Sequence, residues 1–155
     1  CCSFVDVDAG TLALTTIMGL PAVSVASDAI FDISQIASTG LDIRSLNGVG
    51  TVALGSKVLG IQSPSGIFGG VIADGGIGGG NGSSLSVGLG DQGFTWTLTG
   101  VNTYTGYTNI DGGTLALVSK AASPTPVLEF TTLARLISPA LPLGRQSRIC
   151  LAMDR

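Results

Sequence analysis

Leu98-Thr-Gly-Val-Asn-Thr-Tyr-Thr-Gly-Tyr-Thr-Asn-Ile-Asp-Gly-Gly-Thr-Leu-Ala-Leu117 reads as two short strands flanking a turn rich in Gly, Asn and Thr. Its ending, Asp-Gly-Gly-Thr-Leu-Ala-Leu at 111–117, nearly repeats Asp-Ala-Gly-Thr-Leu-Ala-Leu at 8–14, and Gly-Thr-Val-Ala-Leu stands at 50–54. A unit that recurs this way cannot bury its own apolar face and must stack on its neighbours. Further out, apolar strand-like clusters begin near Gly10, Ala29, Gly50, Gly66, Gly93 and Gly113, at steps of 19, 21, 16, 27 and 20 residues. Helical-pair repeats need units of roughly 33 residues or more. A coil made only of strands and turns fits the shorter period, so the expectation is an all-β solenoid.

Neighbouring side chains on a strand face opposite ways. The pairs Leu12 and Leu14, Phe31 and Ile33, Val52 and Leu54, and Leu115 and Leu117 are therefore expected to point inward, with Phe94, Trp96 and Leu98. Thr11, Ala13, Asp32, Thr95, Thr97 and Ala116 fall on the opposite face. Six coils stacked at the strand spacing of about 4.8 Å give a column of roughly 25 Å. Burial of the inward rows, at roughly 25 cal/mol per Å², is the expected main stabilising contribution. The longest step contains Asp74 to Ser83, glycine-rich and read as a flexible loop leaving the coil. Replacing Gly113 with Val is expected to damage folding more than replacing Gly79 in that loop.

Composition supports the all-β reading. Charged residues are 11% of the 155 and apolar ones 45%, the reverse of a disordered chain. The apolar stretch from Ile17 to Ala29 is broken by Pro21, Ser24, Ser27 and Asp28, short of the roughly 20 consecutive apolar residues a spanning helix needs. A net charge of −3 argues against nucleic acid as a partner. Residues 1–120 carry a balance of −5, whereas Arg135, Arg145, Arg148 and Arg155 against Glu129 and Asp154 give 121–155 a balance of +2. That segment holds four prolines and one glycine and lacks a seventh cluster near 133. The division expected is a β-helical segment at 5–120 and an irregular, atypical tail at 121–155, read as a frameshift product or as disordered. Cys1, Cys2 and Cys150 lie at the extremities. Three cysteines complete no disulfide framework. The start at Cys1 rather than Met fits a fragment or a processed chain, and a leading Cys also fits a lipid-attachment site.

The chain has no His, which removes Ser-His-Asp and Cys-His catalysis and the commonest metal ligand. Asp6 and Asp8, on one strand face, are the catalytic alternative, because some polysaccharide-active β-helix enzymes use aspartates so placed. General acid–base work needs two carboxyls at a defined separation, and solvated strand-edge aspartates are the simpler reading. Gly75 to Gly82 lacks the Gly-Lys-Ser/Thr ending of a phosphate loop, and Leu85, Val87 and Leu89 alternate as a strand after it. Tyr104 and Tyr107 sit in a turn, open to sugar stacking or to packing; Trp96 is expected in the core. No catalytic, cofactor-binding or metal-ligating residue is assigned, and no cofactor is expected.

Residues 93–117 resemble the autotransporter-associated β-strand repeat of type V secreted passenger domains. The matching positions are Thr95-Trp96-Thr97-Leu98-Thr99-Gly100, then Asn102-Thr103-Tyr104-Thr105-Gly106, then Thr108, Ile110 and Gly113-Thr114-Leu115. Ala29 to Ser34, Ser45 to Gly55 and Phe68 to Gly75 are similar to the coils between such repeats, extending the likeness to roughly 5–120. The resemblance implies a right-handed parallel β-helix on, or released from, a Gram-negative cell surface or outer membrane. It implies a stalk that supports secretion and displays adhesive regions, and no enzyme. Its implied partners are neighbouring β-helix coils, a translocator barrel in a longer chain, and host surfaces or glycans. The sequence shows no such barrel and ends Met153-Asp154-Arg155. A nonfunctional fragment of a disrupted autotransporter gene stands as a further alternative.

Overall fold

The computed structural model describes residues 4–16, 19, 21–88 and 93–118, together with the strands at 128–130 and 135–137. Cys1, Cys2, Cys150 and most of 121–155 lie outside the described residues. The first turn carries β1 (Phe4–Val7) and β2 (Gly10–Ala13). The second carries β3 (Ala22–Val25), β4 (Ala29–Asp32) and β5 (Gly40–Ile43), and the third β6 (Ser45–Gly48), β7 (Thr51–Ala53) and β8 (Val58–Ile61). The fourth carries β9 (Gly66–Phe68), β10 (Val71–Ala73) and β11 (Ser84–Val87). Then follow β12 (Thr95–Leu98), β13 (Thr108–Ile110), β14 (Thr114–Leu117), β15 (Leu128–Phe130) and β16 (Arg135–Ile137). The described secondary structure is all strand.

Every strand pairing is parallel, and successive strands belong to different sheets. The orders are β1-β3-β6-β9-β12-β14-β16, β2-β4-β7-β10 and β5-β8-β11-β13-β15. Parallel neighbours need a crossover connection. Here the crossover is the rest of the turn, so the chain winds about five times as a three-faced β-solenoid. In the second sheet Gly10 pairs with Ala29, Ile30 with Thr51 and Thr51 with Val71, which are spacings of 19, 21 and 20 residues. Strands β15 and β16 extend two of the sheets beyond residue 120 even though the repeat pattern does not continue there.

The core is a set of in-register columns. Leu12, Phe31, Val52 and Ile72 form one, Leu41, Leu59 and Leu85 a second, and Ile43, Ile61, Val87 and Ile110 a third. Phe68, Leu98 and Leu117 form a fourth. Apart from the half-buried Leu12 of the first turn, all of these are buried. The inward set expected from alternation holds for Phe31, Ile33, Val52, Leu54, Phe94, Trp96, Leu98, Leu115 and Leu117.

One expectation is corrected here. The near-identical segments 8–14 and 111–117 are not equivalent turns: β2 lies in the four-stranded sheet and β14 in the seven-stranded one. The clusters at Gly10, Ala29 and Gly50 open strands of the smaller sheet, whereas those at Gly66, Gly93 and Gly113 open strands of the larger. The uneven step of 16 residues from Gly50 to Gly66 is this change of sheet. Asp32 does face outward, yet it is only 1% exposed, because another segment covers it.

Trp96 shows how a side chain replaces missing ladder. Strands β6 and β9 pair only at Gly48 and Phe68, so the Leu46 carbonyl is not used by β9. Gly66 is the register partner of Trp96 and puts no side chain into the column. The indole reaches past it, and its Nε1–H donates to the Leu46 carbonyl at 3.2 Å. Phe68 packs beside it, ring centroids 6.5 Å apart.

Candidate functional site

The polar side chains that converge do so on the loop 74–83 and the turn 101–107. The second sheet ends at β10, and no strand follows it in the next turn. Asn102 takes the strand's place. Its Oδ1 accepts from the Ile72 N–H at 3.0 Å, and the Thr103 N–H donates to the Ile72 carbonyl at 2.8 Å. A buried backbone donor without an acceptor costs about 1–3 kcal/mol, so this amide acts as a cap on the sheet edge. Tyr104, fully buried, fills the space a strand would fill, and its hydroxyl bonds to that of Thr108 at 2.5 Å. Thr108 stands in the column of Leu41, Leu59 and Leu85, so the tyrosine supplies a polar partner where that column turns polar. The packing role for Tyr104 is the one observed; Tyr107 is 43% exposed.

Loop 74–83 does not leave the coil. It folds back across the third turn onto the second. Asp32 Oδ1 accepts from the Ser34 N–H and hydroxyl at 2.8 and 2.6 Å, and Oδ2 accepts from the Ile77 N–H at 2.7 Å. The Gly78 N–H donates to Ser34 Oγ at 2.8 Å. A Cβ on Gly76 would stand 2.6 Å from the Asp32 carboxylate, so the loop lies against that group.

Asp74 closes the loop on the other side. Its Oδ1 accepts from the Ser83 N–H at 3.0 Å and from the Ser83 hydroxyl, and its Oδ2 accepts from the Thr105 N–H and hydroxyl at 3.1 and 2.5 Å. Thr105 Oγ1 also accepts from the Gly82 N–H at 2.9 Å. Desolvation raises the Asp74 carboxyl, but the bonds from Ser83 and Thr105 outweigh it and hold the group below its ordinary value. The second, fourth and fifth turns are thereby tied through Asp32, Asp74 and Thr105.

The other residues weighed from the sequence lie elsewhere. Asp6 is exposed in β1, and Asp8 is exposed just after it. Among the described residues no three Asp, Glu, Cys or His side chains converge as metal ligands would. No helix among them is long and apolar enough to cross a membrane. The sequence reading missed the clamp because its carboxylates act on residues 45 and 31 positions away, contacts that local pattern does not encode. Comparison with known protein families, with curated proteins and with solved structures finds no match.

Proposed function

We propose that this chain is a structural shaft: a β-solenoid stalk segment of a bacterial autotransporter passenger that supports secretion and surface display. One observation carries the reading. The side chains of Asn102 and Thr105, within the segment that resembles the autotransporter repeat, join one turn to the next instead of forming a site for a small molecule. Stacked turns of this kind give a stiff rod whose folding propagates from neighbour to neighbour. Export coupled to that propagation gives the repeat its role in secretion, and the outer faces are left for contacts with host surfaces or glycans.

The test is display. The chain is fused ahead of a translocator barrel in a Gram-negative host, and surface exposure is read by protease shaving of intact cells. Exposure of the wild-type segment, with reduced exposure of Asn102→Ala, is the expected result. Equal display of both would remove the motif from any role in secretion. Hydrolysis or lyase activity on acidic glycans that disappears in Asp6→Asn or Asp8→Asn would overturn the shaft in favour of an enzyme.

A further inference from the structure

The sequence holds two Asn-Gly steps inside the described residues, Asn47-Gly48 and Asn81-Gly82, and the fold treats them in opposite ways. An Asn followed by Gly is open to internal attack, because the glycine nitrogen has no side chain beside it to block approach to the Asn side-chain carbonyl carbon. The attack requires the backbone to leave extended geometry and bring that nitrogen onto Cγ.

Asn47 is held against this. It lies half-buried in β6, paired beside Ser24 of β3. Gly48 is flanked on both sides, by Val25 and by Phe68, and its carbonyl accepts from the Gly69 N–H at 2.8 Å. A Cβ on Gly48 would stand 2.2 Å from the Val25 carbonyl oxygen, so the backbone there has no room to rotate. Asn81 and Gly82, by contrast, are both exposed and belong to no strand. Gly82 has a φ of +74°, with nothing within 4 Å of where its Cβ would be. Its N–H is restrained by a single bond, to Thr105 Oγ1 at 2.9 Å.

We propose that Asn81 is a site of spontaneous covalent modification, converting to aspartate and isoaspartate while Asn47 is protected by the sheet. The Gly82 nitrogen gives its proton to solvent base and forms a bond to Asn81 Cγ. The Cγ–Nδ2 bond breaks as Nδ2 takes a proton from solvent and leaves as ammonia. Water then adds at either carbonyl of the resulting succinimide, breaking that carbonyl's bond to the Gly82 nitrogen and leaving a carboxylate in its place. The new charge arises one residue from Gly82, whose partner Thr105 is bonded to the Asp74 carboxylate. The isoaspartyl product also lengthens the backbone between Asp74 and Ser83, so the modification loosens the clamp that closes the loop.

The experiment incubates the folded full chain in mildly alkaline buffer and follows each Asn-Gly peptide by mass spectrometry, with the same chain in urea as reference. In urea the two sites convert at similar rates. In the folded chain Asn81 converts at least about tenfold faster than Asn47, the ratio an opening free energy of about 1.4 kcal/mol gives. A folded-state ratio near one, or retention of the Asn81 amide while the urea sample converts, overturns the proposal. Thr105→Val, which removes the acceptor for the Gly82 N–H, speeds conversion at Asn81 and leaves Asn47 unchanged. An unchanged Asn81 rate in that variant overturns the assignment of this bond as the brake.

Discussion

Gly113 and Gly79 form a matched pair for separating backbone strain from steric overlap. Both hold positive φ, +72° and +63°, a region that an L side chain enters at a cost of roughly 1–2 kcal/mol. A Cβ at Gly79 meets nothing within 4 Å, whereas one at Gly113 stands 2.6 to 2.7 Å from three atoms of the Phe94 ring. Overpacking a close-packed interior adds about 1–3 kcal/mol. Gly79→Ala is therefore expected to cost about 1–2 kcal/mol and Gly113→Ala about 2–5 kcal/mol. In urea unfolding followed by circular dichroism, the Gly113→Ala midpoint should lie about 0.5–2 M below that of Gly79→Ala. The excess should also couple to the ring: Phe94→Leu should cost less on the Gly113→Ala background than on the wild type. Coincident midpoints for the two alanine variants, or strict additivity with Phe94→Leu, would refute the claim that Phe94 is what forbids a side chain at 113.

Three further outcomes follow from the polar contacts. Trp96→Phe should lower stability by about 1–3 kcal/mol in the same assay, because the Leu46 carbonyl loses its indole donor in the core. Asn102→Ala should cost a similar amount, about 1–3 kcal/mol, and should speed hydrogen exchange at the Ile72 amide above that of Val52 in the sheet interior. Asp74 is held below its ordinary value in the folded chain, so its contribution is complete above the unfolded carboxylate value near about 3.9 and fades as pH falls through the folded one. The gap in urea midpoint between wild type and Asp74→Asn should accordingly narrow below about pH 4; a gap that widens there would reverse the sign of the shift.

Period-2 alternation identified the inward rows, because the same physical rule sets side-chain direction in every strand of the stack. Leu54 and Leu98 could be placed in the core from that rule alone. Asp32 shows where the rule stops. Alternation gives the face of a side chain, but exposure depends on what else lies over that face, and here it is Ile77, 45 residues away. The glycine-rich composition of 74–83 suggested freedom, and glycine does allow it. The same lack of side chains also lets the loop press against the Asp32 carboxylate and be fixed there. The near-repeat at 8–14 and 111–117 misled for a related reason. A Gly-Thr-Leu-Ala-Leu strand suits any face of a three-faced coil, so sequence likeness did not say which sheet each copy joins. Tyr104 lay beyond pattern altogether, since its burial follows from the absence of a strand in the second sheet at its turn.

The places where this solenoid departs from regular stacking are also the places where its larger and more polar side chains sit. In an ideal repeat array each turn touches only its neighbours, and stability is a sum over turns and their interfaces. The bond from Trp96 to Leu46 skips the turn that carries β9, and it does so where the β6–β9 ladder is reduced to a single pair. The thinnest step of the seven-stranded sheet is thus bridged by the largest buried side chain of the described core. On the opposite flank, Asp32 holds the loop that leaves β10, and Asp74 holds Thr105 of the following turn. Both arrangements reach past the adjacent turn, so the middle of the rod gains a cooperativity that nearest-neighbour stacking does not provide. In the proposed shaft that property counts most where the ladder is incomplete, because a rod that opens at one weak step transmits neither force nor position beyond it.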